Sequence, residues 1–310
     1  MNNAVIAVTS VTFSRDPLLI SRLRQNFTNV RLNANGERFD ATRLAEFIGN
    51  ADGVIVGLET IDKNLLTACP GVRIFAKYGV GLDNIDVDAC EESSVAIGWT
   101  GGLNRLSVAE ETVCFMIALF RNLFVCSYDL KQGRWARKDG TQLSGKTVGI
   151  MGVGNIGREL VRLLEPFKCR ILVHDVIDQS AYYREHNLTE VSRDALFAES
   201  DVVTIHTPLT NETRNVVDRR LLSLMKPTAF LVNTARGPIV NQNDLKEALE
   251  KGVIAGAALD VFELEPITDV GFLGLPNLIC TPHIGGNASE AIRALGLSAI
   301  DHLEKFFGAR

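Results

Sequence analysis

The chain has 310 residues, 46% of them hydrophobic and 22% charged, the profile of a globular protein long enough for two cores. A net charge of −5 argues against a broad electrostatic grip on nucleic acid or an anionic membrane. The start, MNNAVIAVTS, lacks the charged and apolar regions of a secretory leader, and the longest apolar run, residues 113–120, is too short to span a bilayer, so a cytoplasmic protein is expected. Six cysteines (Cys69, Cys90, Cys114, Cys126, Cys169 and Cys280) show no C-x-x-C or other metal-type spacing. Most sit inside apolar runs and read as small reduced core residues, and no metal site is expected.

Strand-like and helix-like runs alternate from end to end, which predicts parallel sheets covered by helices, the α/β class. Strands at residues 4–8, 30–33, 53–56, 73–76 and 95–97, with helices such as 17–26 and 42–50 between them, describe a small flavodoxin-like layer. A long apolar helix from 107 to about 124 then leads into a polar stretch, 131–145, that reads as an extended arm. Residues 146–175 follow as a buried strand, a glycine turn, an amphipathic helix and a second strand that stops at an acid. Later strands fall at 202–205, 229–233, 254–259 and 278–280, with Asn241 as N-cap of a helix ending at Lys251 before Gly252. The last segment, 287–307, carries a helical apolar pattern (Ile292, Leu295, Ile300, Leu303, Phe306, Phe307) and is expected to return to the first domain.

The glycine turn is the most informative feature. Gly152, Gly154 and Gly157 stand in G-x-G-x-x-G spacing, where the first allows a tight turn, the second close approach of a pyrophosphate, and the third helix–strand packing. The helix that follows presents unpaired N–H groups and a positive dipole end to phosphate. Asp175 ends the second strand, placed to accept from both ribose hydroxyls, and it disfavours a 2′-phosphate. The cofactor expected is NAD. The fold is then two doubly wound parallel-sheet domains, a Rossmann NAD-binding domain (101–286) inserted into a flavodoxin-like substrate domain (1–100 plus 287–310). Two chain crossings, near 98–106 and 284–290, would make a hinge and a cleft.

Ligands of open α/β sheets lie beyond the C-terminal strand ends. There the sequence places His206-Thr207-Pro208, Thr234-Ala235-Arg236-Gly237, Asp260 with Glu263 and Glu265, and Thr281-Pro282-His283-Ile284-Gly285-Gly286. Hydride exchange between NAD and a 2-hydroxy acid needs a clamp for carboxylate and carbonyl oxygen, which suits arginine, and one proton-exchanging group, which suits histidine beside a carboxylate. Either Glu263 or Glu265 satisfies that spacing, with Glu265-Pro266 preferred. His206 reads equally as a structural hydrogen-bonder or a ligand. Lys77 reads equally as a substrate-facing charge or a surface residue.

The segments YGVGLDNID, LNRLSVAEETV, GVGNIG, HTPLTNETRN, LVNTARGPIVN, ALDVFELEP and TPHIGG, in this order, resemble the D-isomer-specific 2-hydroxyacid dehydrogenases, phosphoglycerate dehydrogenase-like branch, over nearly the whole chain. The resemblance implies an NAD-dependent dehydrogenase acting on the CH-OH group of a D-2-hydroxy acid. It implies catalytic roles for Arg236, Glu265 and His283. Cofactor contacts would come from Gly152, Gly154, Asn155, Ile156 and Gly157, from Asp175, from His206, Thr207, Pro208 and Thr213, and from Thr234, Ala235, Asp260 and Gly285. Tyr78, Gly79, Val80 and Gly81 with Asn104 would receive the substrate carboxylate beside Arg236. The phosphoglycerate dehydrogenases tend to carry an arginine after the strand that here is 53–56; this chain has Gly57-Leu58-Glu59, so a non-phosphorylated substrate is expected. The alternatives are 3-phosphoglycerate dehydrogenase proper and a dinucleotide-sensing, corepressor-like binding protein. A homodimer is expected from the arm and the apolar helix.

Overall fold

A computed structural model describes residues 2–308. The chain forms two compact units, Met1–Asn104 with Ala288–Arg310, and Arg105–Asn287. In the first, strands β1 (Asn2–Val8), β2 (Phe27–Leu32), β3 (Gly53–Val56), β4 (Ile74–Lys77) and β5 (Ala96–Gly98) form a parallel sheet in the order β2-β1-β3-β4-β5. In the second, β6 (Thr147–Met151), β7 (Arg170–His174), β8 (Thr189–Glu190), β9 (Val202–Ile205), β10 (Phe230–Asn233), β11 (Gly256–Leu259) and β12 (Leu278–Cys280) form a parallel sheet in the order β12-β11-β10-β9-β6-β7-β8. Its central strands are buried on both faces, which is why they read as unbroken apolar runs rather than alternating ones.

Register decides where the functional loops lie. Met151 pairs with Ile205, Ile205 with Asn233, Asn233 with Leu259, and Leu259 with Cys280. The residues that follow these five strand ends, Gly152, His206, Thr234, Asp260 and Thr281, therefore emerge as one row along the same edge. Strand order reverses direction between β9 and β6, the switch point at which ligands of open parallel sheets bind.

The helix Pro17–Asn26 starts where Asp16 accepts from the N–H groups of Leu18 and Leu19 with Pro17 at the first turn. It runs directly into β2, so that strand begins at Phe27 rather than at residue 30; Phe27 is at once helix C-cap and strand residue. The helix Ser289–Phe307 buries Leu295, Ala299, Ile300 and Leu303, and the last three share a core with Ile6, Val8, Ile55 and Ile74 of the first unit. The returning segment thus completes the unit that the N-terminal hundred residues begin.

Two expectations need correction. The apolar helix expected from 107 to about 124 is two helices, Arg105–Phe120 and Leu123–Lys131, bent by 67°. Asn122 makes the break by adopting a left-handed conformation (φ 53°), which Asn tolerates better than other non-glycine residues. The cysteines are free, but only Cys69 and Cys90 are buried; Cys126, Cys169 and Cys280 are partly accessible and Cys114 is exposed. Among the described residues, no single helix is long and apolar enough to cross a membrane.

Gly98 measures how tightly the returning helix seats. A Cβ built there would lie 2.5 Å from His302 Cβ and 3.0 Å from its Cγ. Gly98→Ala should therefore cost about 1–3 kcal/mol by overpacking, read as a lower urea midpoint at unchanged m-value; an unshifted midpoint would mean that the helix yields there freely.

Candidate active site

The glycine turn after β6 is dictated by close approach. Gly152 has φ 96°, and a Cβ on it would lie 2.7 Å from Thr207 N and 2.8 Å from His206 C. A Cβ on Gly157 would collide with the Gly152 carbonyl. Gly154 is the N-cap of the helix Asn155–Leu164, makes no side-chain cap, and has open space where its Cβ would be. The first N–H groups of that helix, at Asn155 and Ile156, are left for an anion.

Asp175, after β7, has a structural duty beyond the one read from sequence. Its Oδ2 accepts from Val153 N at 2.7 Å and from Gln179 Nε2 at 3.1 Å, and its Oδ1 accepts from Ile177 N at 3.0 Å. The carboxylate ties the glycine turn to the second strand. At the end of β9, His206 Nε2 lies 3.0 Å from Thr204 Oγ1, while its Nδ1 is buried without a partner; burial pushes its pKa down to about 3, so the ring is neutral. Thr207 Oγ1 is also buried without a partner. Thr213 Oγ1 donates to Pro208 O at 2.8 Å and accepts from Thr210 N at 2.7 Å, closing the next loop. Orphaned polar atoms beside an uncapped helix start fit a bound dinucleotide.

The row of strand ends assembles the remaining groups. His283 Nδ1 lies 2.7 Å from Glu265 Oε2, and Glu265 Oε1 accepts from Phe262 N at 3.0 Å. Glu263, the competing acid, is exposed, with its N–H on Gln242. Arg236 follows β10; its guanidinium donates to Ala235 O at 2.7 Å, and its charge acts on both Glu265 and His283. Gly237 makes this closeness possible, since a Cβ there would overlap the Phe262 main chain. Asn233 braces the turn by accepting from Ala235 N and donating to Arg236 O.

The electrostatics are coupled. The Glu265 hydrogen bond, opposed by burial, raises the His283 pKa above its usual 6.5, with the charges of Glu265 and Asp260 adding to the rise. Burial alone would raise the Glu265 pKa, but hydrogen bonds from His283 and Phe262 N–H and the charges of His283 and Arg236 hold it below the usual carboxylate value.

Asp260 was expected only as a cofactor contact. It is 1% exposed, and both oxygens are engaged: Oδ1 accepts from Thr281 Oγ1 (2.6 Å) and Ile284 N (2.7 Å), Oδ2 from Gly285 N (2.7 Å). These bonds hold the turn in which His283 takes a left-handed conformation, φ 55°. From the helix Arg105–Phe120, Ser107 Oγ donates to Gly285 O at 2.5 Å, and Thr112 Oγ1 lies 3.1 Å from Thr234 Oγ1. Sequence reasoning assigned none of these helix residues a role, although Ser107 and Glu111 stand four residues apart on one helix face, with Thr112 next to it in sequence.

In the first unit, Lys77 is not a surface residue. It is 5% exposed, and its ammonium donates to Gly57 O and Asn84 Oδ1, both at 2.6 Å. Glu59 folds back to accept from Gly57 N at 2.9 Å, and Leu58 is 92% exposed. The Tyr78 ring packs edge-on to Phe13, its hydroxyl buried without a partner, and the backbone of Gly79, Val80 and Gly81 is partly accessible, with Val80 O accepting from Trp99 Nε1. Asn104 Oδ1 is also buried and unpartnered.

Comparison with known proteins gives the family. Residues 113–285 match the family model described as D-isomer specific 2-hydroxyacid dehydrogenase, NAD binding domain. The chain is 33% identical over 299 residues to a hydroxypyruvate reductase of Thermotoga maritima, covering 94% of this chain and 97% of that one. It is 36% identical over 266 residues to a D-3-phosphoglycerate dehydrogenase of Methanocaldococcus jannaschii, covering 84% of this chain and 51% of that one, so the match spans about half of that longer protein. Among solved structures, a glyoxylate reductase from Paecilomyes thermophila superimposes with a TM-score of 0.87 at 26% identity, over 99% of this chain and 96% of that one. By these matches the chain belongs to the D-isomer specific 2-hydroxyacid dehydrogenases and is an NAD-dependent oxidoreductase.

Proposed function

We propose that this protein interconverts a non-phosphorylated 2-keto acid and its D-2-hydroxy acid, with His283 exchanging the proton, Glu265 orienting it and Arg236 clamping the substrate. The observation that carries the reading is the His283–Glu265 contact of 2.7 Å within reach of the Arg236 charge. Bound NADH supplies the hydride. In reduction, the protonated imidazole donates to the emerging alkoxide, and the planar guanidinium stabilises charge on the substrate oxygen. Glu265 favours the proton-bearing form of His283.

The cradle residues divide the cofactor among them. The N-terminus at Gly154, Asn155 and Ile156, with Gly152 and Gly157 shaping it, would hold the pyrophosphate, and Asp175 the adenosine ribose. His206, Thr207, Pro208 and Thr213 would flank the phosphates; Thr234, Ala235, Asp260 and Gly285 would border the nicotinamide. Tyr78, Gly79, Val80 and Gly81 with Asn104 are assigned to the substrate carboxylate.

Substrate choice rests on the loop after β3. Residues 57–62 contain no lysine or arginine, Glu59 is turned onto its own loop, and Lys77 donates to Gly57 and Asn84. A phosphate dianion would meet the Glu59 carboxylate there, and the Lys77 ammonium beside the loop is already engaged by Gly57 O and Asn84 Oδ1. Similarity alone does not choose, because the relatives include proteins named for hydroxypyruvate, glyoxylate and 3-phosphoglycerate. We extend the proposal to a homodimer, supported by the exposed apolar residues Leu123, Phe124, Tyr128, Leu130 and Trp135.

Three outcomes test these assignments. His283→Ala should lower kcat roughly 10³-fold with NADH affinity unchanged; in the wild type, kcat/KM for reduction should hold at acid pH and fall as pH rises through the raised His283 pKa, with the opposite limb for oxidation. A panel of 2-keto acids should show higher kcat/KM for non-phosphorylated substrates than for 3-phosphohydroxypyruvate, and the reverse preference would refute the substrate assignment. Light scattering after size exclusion should give twice the 33.9 kDa chain mass; a single-chain mass would end the dimer proposal.

A further inference from the structure

One carboxyl group beside Asp260 touches neither Glu265 nor Arg236 and takes no part in the proposed hydride and proton exchange. Glu111 projects from the helix Arg105–Phe120 toward the turn after β12. Thr281 Oγ1, which donates to Asp260 Oδ1 at 2.6 Å, is 3.5 Å from Glu111 Oε1. A Cβ on Gly285 would lie 2.6 Å from Glu111 Oε2 and 3.0 Å from Asp260 Oδ2, so both carboxyl oxygens close over the same glycine. Glu111 Oε2 is buried with no donor facing it.

Two carboxylates cannot share such a place while both are ionised. Asp260 already accepts from two backbone N–H groups and one hydroxyl, which favours its charged form. Glu111 accepts from no backbone N–H and lies against that charge. A proton on Glu111 resolves the conflict: the acid becomes a donor, Asp260 supplies a remaining lone pair, and the orphaned oxygen is satisfied. Burial first, and the Asp260 charge second, push the Glu111 pKa up to about 7.

We propose that Glu111 is a positioning residue: its protonated carboxyl donates to the Asp260 carboxylate and so locks the 281–285 turn that presents His283. The link to catalysis rests on the assignment of His283 as the proton-exchanging group. The ionisable groups acting on Glu111 are Asp260 from the end of β11 and His283 from the turn after β12. The end of β10 contributes the neutral Thr234, bonded to Thr112, and the helix Asn155–Leu164, which also packs on this helix, carries Glu159, held by Arg105 and Arg162. When Glu111 loses its proton, it becomes a second negative charge beside Asp260, and the turn loses one of its ties.

Infrared difference spectroscopy of wild type against Glu111→Gln reads the proton without turnover. At pH 6 the wild type should show the C=O stretch of a carboxylic acid that is absent from the variant, and the band should disappear as pH rises through about 7. Kinetics give the second arm. Glu111→Leu should lower kcat about tenfold with KM for NADH little changed, because a hydrogen bond to a charged group is lost. Glu111→Gln, which keeps a donor, should recover most of that loss and remove one ionisation from the alkaline limb of the reduction profile. No carboxylic band distinguishing wild type from Glu111→Gln, or a wild-type kcat in Glu111→Leu, would overturn the proposal. An active His283→Ala enzyme would instead sink the catalytic assignment and leave the band, and the proton on Glu111, standing.

Discussion

The second unit depends on one buried negative charge. Asp260, at the end of β11 and 1% exposed, must be satisfied by hydrogen bonds, because an isolated carboxylate in such a place is costly. Its partners all come from the next strand end: the Thr281 hydroxyl and the N–H groups of Ile284 and Gly285. That requirement folds residues 281–285 into a tight turn and holds His283 left-handed, a conformation that costs about 1 kcal/mol for a non-glycine residue. The imidazole then meets Glu265, itself aimed by the Phe262 N–H. A charge placed by one strand therefore decides where a histidine from the next strand points.

Parallel-sheet register supplies the rest of the geometry. Because Met151, Ile205, Asn233, Leu259 and Cys280 are successive partners, residues far apart in sequence leave the sheet side by side. Glycine then brings the loops into contact. Gly152 lets the cofactor turn lie against the His206–Thr207 backbone, and Gly237 lets the Arg236 turn lie against Phe262. The glycine turn after β6 and the group of Arg236, Glu265 and His283 are thus two stretches of one row.

Much of this was legible in the residues. The unbroken apolar runs marked the parallel strands, the Asn241 cap and Gly252 bounded the helix Gln242–Glu250, and the three glycines marked the tight turn between β6 and the helix Asn155–Leu164. What escaped was tertiary in origin. The break at Asn122 turns on a left-handed residue within an apolar run, which periodicity does not register. Glu263 and Glu265 are equivalent by spacing, and only the path of the chain past Phe262 separates them. Lys77 looked like an accessible charge because nothing local reveals that Gly57 and Asn84 enclose its ammonium. Glu111 stood unremarked in a helical stretch, since its burial against Asp260 depends on a contact made 149 residues along the chain.

The central claim is that the site holds His283 in its protonated form more strongly than water does. Site-resolved nitrogen NMR of the His283 imidazole, followed through a pH titration of the intact protein, tests it most directly. The geometry predicts a titration midpoint above 6.5 and an Nδ1 proton hydrogen-bonded to a carboxylate. A midpoint at or below 6.5, or an Nδ1 proton in free exchange with solvent, would contradict it.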